Sequence, residues 1–489
     1  MSEGEPEPRS KMTRKSEGRI VAMRTGNCET QRSGTRRSQG GPEGQEPQQG
    51  DSAAPSSAGK LTPELLRVVE RARREPKGKF HSVAHLIDEA ALRRSYERLR
   101  GDAAVGVDGE SKAGYGEQLG KRLKDLHQRL KEGRWRHQPL RRVKIPKEGG
   151  TSRPIGISTV EDKIVQGALR EVLEAVYEQD FLPCSYGFRP QRRAHDALRA
   201  IDRACWEKWV NFIVEADLVS FFDSVNRSAL VEMIRERVPD GALLRLVARS
   251  LKAGVLEGQQ YSEPTEGTAQ GSSLSPLLGN IYLHNVLDVW FEKQVKPRLQ
   301  GKAMIVRYAD DFALLFEKEA DARRVNEVLP KRLGRFNLKL HEEKTRLLKF
   351  ERPRSGQSKG KGPATVDFVG FTLYWGRTRG RTWQLRMKTR RKSLRRSLKK
   401  TDEWCKHSRT LPIKEQHAGL VKRMLGHYNY FGVNGNMESL NRYREIVTGQ
   451  WWRRLRKRSQ RAKMSSQRYV QLLQRYPMPE PRICISIWG

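Results

Sequence analysis

Residues 1–60 are rich in Gly, Ser, Gln, Glu, Pro and Arg and poor in large apolar residues, so they cannot bury enough surface to fold alone. The pattern changes at Thr62-Pro63-Glu64-Leu65-Leu66. A cap-like Thr, Pro at the first helical position and an acidic first turn predict an amphipathic helix that stops by Pro76. A second helical segment is predicted from Ser82 to Arg100, leading into a Gly-rich turn over 101–109. Helix, strand and loop then alternate to about Trp375, which reads as α+β. Phe212-Ile-Val-Glu-Ala-Asp217 predicts an apolar strand ending in Asp, and Ala303 to Phe316 predicts two short strands parted by Tyr308-Ala309-Asp310-Asp311. From Arg377 to Lys400, twelve of the twenty-four residues are Lys or Arg and none is acidic. Helical periodicity dominates from there to about Tyr476, with Leu394 and Leu398 on one face, and Pro477-Met-Pro-Glu-Pro481 begins a non-helical tail.

The charge balance narrows the class of partner. Lys and Arg number 95 against 57 Asp and Glu, a net charge of +38, which is the electrostatic footprint of a protein that binds a polyanion. No unbroken apolar stretch is long enough to cross a bilayer and the start does not read as a signal peptide, so nucleic acid is expected rather than membrane. Cys28, Cys184, Cys205, Cys405 and Cys484 are scattered, with no C-x-x-C pair and no Cys/His cluster. Neither a disulfide framework nor a zinc module is indicated, which fits a reducing cytoplasm.

The candidate chemistry lies in the carboxylates. Two adjacent Asp between β-prone runs are costly to desolvate unless something positive pairs them. With no Lys or Arg between Tyr308 and Phe316, a divalent metal is the natural candidate. Asp217 at the mouth of a strand and Asp310-Asp311 in a hairpin turn can converge on one spot. Mg²⁺ takes such oxygen ligands and leaves positions for water and substrate phosphates. Two Mg²⁺ ions there would activate a primer 3′-hydroxyl and stabilise the leaving pyrophosphate. Taken singly, the ordinary alternative is a helix-capping Asp217 and a polar turn at Asp310-Asp311.

Asp217-x-x-x-Phe221-Phe222-Asp223 and Tyr308-Ala-Asp-Asp311 resemble the two metal-binding motifs of reverse transcriptases. Thr268-Ala-Gln270-Gly271 with Ser275-Pro276 and Asn280 is similar to the Gln-Gly loop and following helix of the group II intron branch; Ala269 stands where that family often has Pro. Ile145-Pro-Lys147, Arg153-Pro-Ile-Gly156, Cys184-Ser-Tyr-Gly187-Phe188-Arg189-Pro190, His341-Glu-Glu-Lys344-Thr345 and Phe368-Val-Gly370-Phe371 follow the same family in its order, over roughly residues 80 to 375. Gly426-His-Tyr-Asn-Tyr430-Phe-Gly432 and Trp451-Trp452 resemble its thumb, or maturase, region.

The resemblance implies roles. Asp217 and Asp310 would be ligands shared by both metals, with Asp311 supporting. Phe222 would be the aromatic gate that leaves room for hydrogen but not for a ribose 2′-hydroxyl, a core Phe being the alternative. Lys147 and Arg153 would reach the triphosphate, Arg as a planar fork and Lys as a point charge. Gln270 and Gly271 would lie against nucleotide and template. Lys344 would protonate the departing pyrophosphate, or be a surface charge. Tyr308 and Gly370 would support the primer terminus, a Gly needed only for backbone geometry being the alternative. Lys388, Arg390, Arg391, Lys392, Arg395 and Arg396 would hold nucleic-acid phosphates. At least one of Trp451 and Trp452 is expected in the thumb core.

The expected architecture is a right-hand polymerase of α+β class. A disordered extension over 1–60 precedes fingers and palm over 61–375, an all-helical thumb or maturase domain over 376–476 and a tail over 477–489. Its implied partners are group II intron RNA, an RNA template with its DNA primer, target DNA and deoxynucleoside triphosphates. After Tyr430 the sequence has no His and one Cys, so the His/Cys-rich endonuclease of many relatives is not expected. Two alternatives stay open: a retron-type or defence-associated reverse transcriptase without splicing, and a non-catalytic RNA-binding splicing factor.

Overall fold

The computed structural model describes residues 61–488, except 147–151, 258–259, 263–265, 269–270, 354–363, 379, 381 and 459–463 and the side chains at 146 and 153. The first helix covers Pro63–Arg74, with the Thr62 hydroxyl accepting the Leu65 N–H at 3.4 Å. The second is shorter than Ser82 to Arg100. Asp88 is its cap, the carboxylate accepting the Ala91 N–H at 2.7 Å, and the helix covers Glu89–Arg98. A 21-residue helix, Val160–Asp180, buries apolar residues around much of its circumference, as a helix does when it runs through a core.

The strands in chain order are β1 (Leu140–Pro146), β2 (Ser152–Ile157), β3 (Phe212–Asp217), β4 (Val255–Glu257), β5 (Gln260–Ser262) and β6 (Ala303–Tyr308). They are followed by β7 (Asp311–Phe316), β8 (Arg346–Lys349), β9 (Val366–Phe368), β10 (Phe371–Arg377) and β11 (Trp383–Thr389). Among the described residues they make three sheets, ordered β2-β1-β4-β5, β6-β7-β3-β8 and β11-β10-β9.

The central sheet, β6-β7-β3-β8, is antiparallel throughout and covered on both faces. Val214, Ala216, Ile305, Phe312, Leu314 and Phe316 belong to one core with the helices around Val160–Asp180. Ile213, Val306, Ala313 and Leu315 belong to a second core, shared with β9 to β11 and the C-terminal helices. Burial on both faces explains why these strands read as continuous apolar runs rather than as alternation.

The helical C-terminal part begins at Arg391, later than the expected 376. Residues 383–389 alternate, burying Leu385, Met387 and Thr389, with Arg386 half-buried and Lys388 exposed between them. Trp375↔Leu385 and Leu373↔Met387 pair across β10 and β11. Helices Arg391–His407, Ile413–Phe431, Met437–Arg456 and Ser466–Arg475 follow. Leu440, Tyr443, Val447, Trp451 and Leu455 line one face of the third and fill the core. Trp451 is fully buried and donates its indole N–H to Gln416 Oε1 at 3.0 Å. Trp452 is half-buried and stacks on Tyr469. The tail is non-helical but packed: Ile485 bridges Val433, and Met478 and Ile487 are buried. No described helix is long and apolar enough to cross a membrane.

Candidate active site

At the mouth of the central sheet, Asp217 ends β3 and is the direct partner of Asp311, which begins β7. Tyr308 pairs with Asp311 across β6 and β7, so Ala309 and Asp310 form a two-residue turn, with Ala309 at φ 58°. One sheet edge therefore gathers all three carboxylates expected from the sequence. Burial pushes the Asp311 carboxyl up to about 8 against the pull of the Val369 N–H, and the charges of Asp217 and Asp310 add to the rise. Among the described residues no three His, Cys, Asp or Glu side chains are drawn together at ligand spacing. Like charges repel unless a cation lies between them. An oxygen-only donor set whose members raise one another's proton affinity suits a hard divalent cation such as Mg²⁺.

Lys344 reaches this edge. The His341 N–H donates to the Asp217 carbonyl at 2.8 Å and the Lys344 N–H to the His341 carbonyl at 3.0 Å, which sets the Lys344 ammonium against Asp217 Oδ2. Lys344 is thus in contact with a carboxylate 127 positions earlier.

The strand β3 leads through Ser220, at φ 45°, into the short helical turn Phe221–Ser224. Phe222 is half-buried there, its ring 5.1 Å from that of Phe221. The base of the Gln-Gly loop is tied to this turn: the Thr268 N–H donates to the Phe222 carbonyl at 2.6 Å and the Gly267 N–H to the Val225 carbonyl at 2.9 Å. Gly271, at φ 110°, lies against β2, where a Cβ would sit 2.6 Å from Gly156 O and 2.8 Å from Ile155 Cγ2. Only Gly fits. Thr268 is therefore tied to the Phe222 turn and Gly271 is packed on β2. Lys147, Gln270 and the Arg153 side chain lie outside the described residues.

Val369 and Gly370, at φ 42° and 85°, form the two-residue turn joining β9 to β10. The Val369 N–H donates to Asp311 Oδ2 at 3.2 Å. The Tyr430 hydroxyl donates to the Val369 carbonyl at 2.8 Å, and the Arg390 N–H to the Gly370 carbonyl at 3.0 Å. Tyr308 is half-buried beside it all at the end of β6. The C-terminal helical part is thus bonded to the turn that touches Asp311.

Of the basic candidates, Lys388, Arg391, Lys392 and Arg395 are exposed. Arg390 and Arg396 are half-buried, and Arg390 pairs with Asp367 at 2.9 Å. Sequence reasoning passed over Arg307, the residue before Tyr308. It is fully buried and paired with the equally buried Asp288. The signal was a lone Arg inside an apolar strand, which demands a buried partner.

Residues 145–373 match the family described as reverse transcriptase (RNA-dependent DNA polymerase). The chain is 33% identical over 278 residues to Protein YkfC of Escherichia coli (strain K12), covering 51% of this chain and 73% of that protein. It is 39% identical over 216 residues to the group II intron-encoded protein LtrA of Lactococcus lactis subsp. cremoris, covering 42% of this chain but 35% of LtrA. A third relative, nuclear intron maturase 2, mitochondrial, of Arabidopsis thaliana, is 29% identical over 122 residues, 24% of this chain and 16% of that one. By these likenesses the chain belongs to the reverse transcriptases, RNA-directed DNA polymerases of the group II intron-encoded kind.

Proposed function

We propose that this chain extends a DNA primer on an RNA template by two-metal phosphoryl transfer, and that it does so for a group II intron RNA it also helps to splice. The observation that carries the first half is the pairing of Asp217 with Asp311 across β3 and β7, with Asp310 in the adjoining turn. Asp217 and Asp310 would hold two Mg²⁺ ions, with Asp311 supporting. When bound, the metal supplies Lewis-acid activation of the primer 3′-hydroxyl and charge neutralisation at the leaving pyrophosphate. The chain's own groups do the rest. Phe222 closes the space beside the sugar, Gly271 and the base of its loop bring Gln270 toward the nucleotide, and Lys147 and Arg153 come from the β1–β2 hairpin to the triphosphate. Lys344 leaves Asp217 to deliver a proton to the pyrophosphate. Tyr308 and the Val369–Gly370 turn hold the primer end.

Splicing and the later reverse transcription of the inserted intron are supported by the relatives named for introns and by the basic helical part. Lys388, Arg391, Lys392 and Arg395 would meet phosphates, giving affinity without reading sequence. Target DNA is the second nucleic-acid partner, and the cytoplasm the expected place of action. The test is primer extension on an RNA template by the wild-type chain and by a variant carrying Asp310→Ala and Asp311→Ala. The variant should lose Mg²⁺-dependent synthesis while its RNA binding stays near wild type. Synthesis retained by the variant refutes the site; no synthesis by the wild type favours a splicing factor without polymerase activity.

A further inference from the structure

The polymerase reading leaves one group unexplained: a complete ion pair buried directly beneath the metal-ligating turn. Arg307 and Asp288 are both 0% exposed. All five guanidinium N–H groups are satisfied. Nε donates to Asp288 Oδ1 at 2.8 Å and Nη2 to Asp288 Oδ2 at 2.5 Å and Ser185 Oγ at 2.8 Å. Nη1 donates to Asn280 Oδ1 at 2.9 Å and to the Ala309 carbonyl at 3.0 Å. The last of these bonds is to the turn itself.

Stability alone does not call for such a pair, since apolar residues of similar volume commonly do as well at less desolvation cost. Geometry does call for it. Ala309 is held at φ 58°, a region sparsely populated by residues with a Cβ, and such a conformation persists only where its surroundings over-determine it. Arg307 supplies that constraint from inside the sheet, and Gly187 supplies it from the side. The Arg307 N–H donates to the Cys184 carbonyl and the Tyr186 N–H to the Arg307 carbonyl, each at 2.8 Å, and Asn280 Nδ2 donates to the Gly187 carbonyl at 2.8 Å.

The helix that carries the partners is built to match. Asn280 lies in Ser275–Leu283, and Asp288 lies in the π-helical turn His284–Asp288 that follows. In a regular α-helix residues eight apart are rotated by about 80° about the axis. A π-turn takes in one extra residue, which absorbs about 100° and returns Asp288 close to the face of Asn280. The bulge lets two residues of one helix grip a single guanidinium.

We propose that Arg307, clamped by Asp288 through this π-turn, is the positioning residue of the active site: it fixes the Ala309–Asp310 turn so that Asp310 meets the metal without rearrangement. The role rests on the polymerase reading but is tested apart from it. Mn²⁺ binding to the protein–primer–template complex is measured by electron paramagnetic resonance for the wild type, for Asp288→Asn and for Asp180→Asn. Asp180 is a control because it makes a similar bidentate pair with Arg237, at 2.8 and 2.9 Å, away from the sheet mouth. Both variants should melt earlier. Only Asp288→Asn should weaken Mn²⁺ binding, by about tenfold, with primer–template affinity unchanged. Mn²⁺ affinity within twofold of wild type in Asp288→Asn overturns the proposal. Should that variant not fold, Ser185→Ala, which removes one bond to Arg307, is decisive: about threefold weaker Mn²⁺ binding supports the role and no change overturns it. DNA synthesis by the wild type is read in parallel. Its absence would count against the polymerase reading, whereas normal synthesis with unperturbed Mn²⁺ binding in the variants counts against the positioning role alone.

Discussion

Replacing Gly187 by Ala adds one methyl group where the segment 184–189 comes close to the Ala309–Asp310 turn. Gly187 does not adopt a left-handed backbone, so the substitution tests the contact and not a conformational preference. A Cβ at this position would lie 2.9 Å from Tyr308 C, 3.1 Å from Ala309 Cα and closer still to Ala309 N. Ordinary contact needs at least 3.4 Å, so one backbone must give by about 0.5 Å or more. The Gly187 side is poorly placed to yield. Its carbonyl is held by Asn280, and Arg189 is buried and fixed by Glu178 at 2.9 Å and by the Leu182 and Ser185 carbonyls. The displacement therefore falls on the turn that carries Asp310. Overpacking costs about 1–3 kcal/mol, which a chain with about 5–15 kcal/mol of stability survives folded. A shift of that size exceeds what a catalytic constellation tolerates, and a misplacement of about 1 Å lowers turnover by about a hundredfold. Single-turnover primer extension at saturating nucleotide should thus fall by about ten- to a hundredfold, with primer–template affinity within twofold of wild type. A chemical step within twofold of wild type, alongside a lowered melting temperature, would refute the coupling of this segment to the turn.

Two further predictions concern other parts of the molecule. Phe222→Ala should raise incorporation of ribonucleotides relative to deoxynucleotides by about tenfold or more in competition assays; no gain places the gate elsewhere. Burial holds the His427 imidazole down at about 3, against an ordinary value of 6.5, where it stacks on Tyr443 at 3.8 Å. The unfolded chain takes up a proton there that the folded chain refuses, so this contribution to stability is present above pH 6.5 and is lost as the pH falls toward 3. The linked loss between about pH 7 and pH 5 is about 2 kcal/mol. Urea unfolding of His427→Phe should show a shallower acid dependence by that amount, and an unchanged slope would contradict the burial of a neutral ring.

Local features of the fold were legible wherever neighbouring residues alone decide them. Thr62 and Pro63 announced the first helix because a cap and its helix are adjacent. The run Ala303 to Phe316 announced two strands, and its breaking by Asp310 and Asp311 announced a turn with charge to place. The strand over 383–389 was missed because twelve basic residues between Arg377 and Lys400 mask a period-two apolar set that is visible only once Leu373 and Trp375 are seen opposite. Arg307 was missed for a different reason: its partners lie 19, 27 and 122 positions away.

The sequence by itself determined the chemical vocabulary: three carboxylates, an aromatic residue five positions after Asp217, a Gln-Gly loop, and a basic C-terminal part poor in acids. Those are matters of residue type and short spacing, and a linear chain records them directly. The tertiary structure alone decided that Asp217 faces Asp311, that Lys344 lies on Asp217, that the Tyr430 hydroxyl reaches the turn bonded to Asp311, and that a buried guanidinium holds the turn from beneath. Each of these is a meeting of residues far apart in the chain, fixed by strand register and by how helices cover both faces of one sheet. Register is set by cooperative burial over whole elements, and no local window of sequence contains that information.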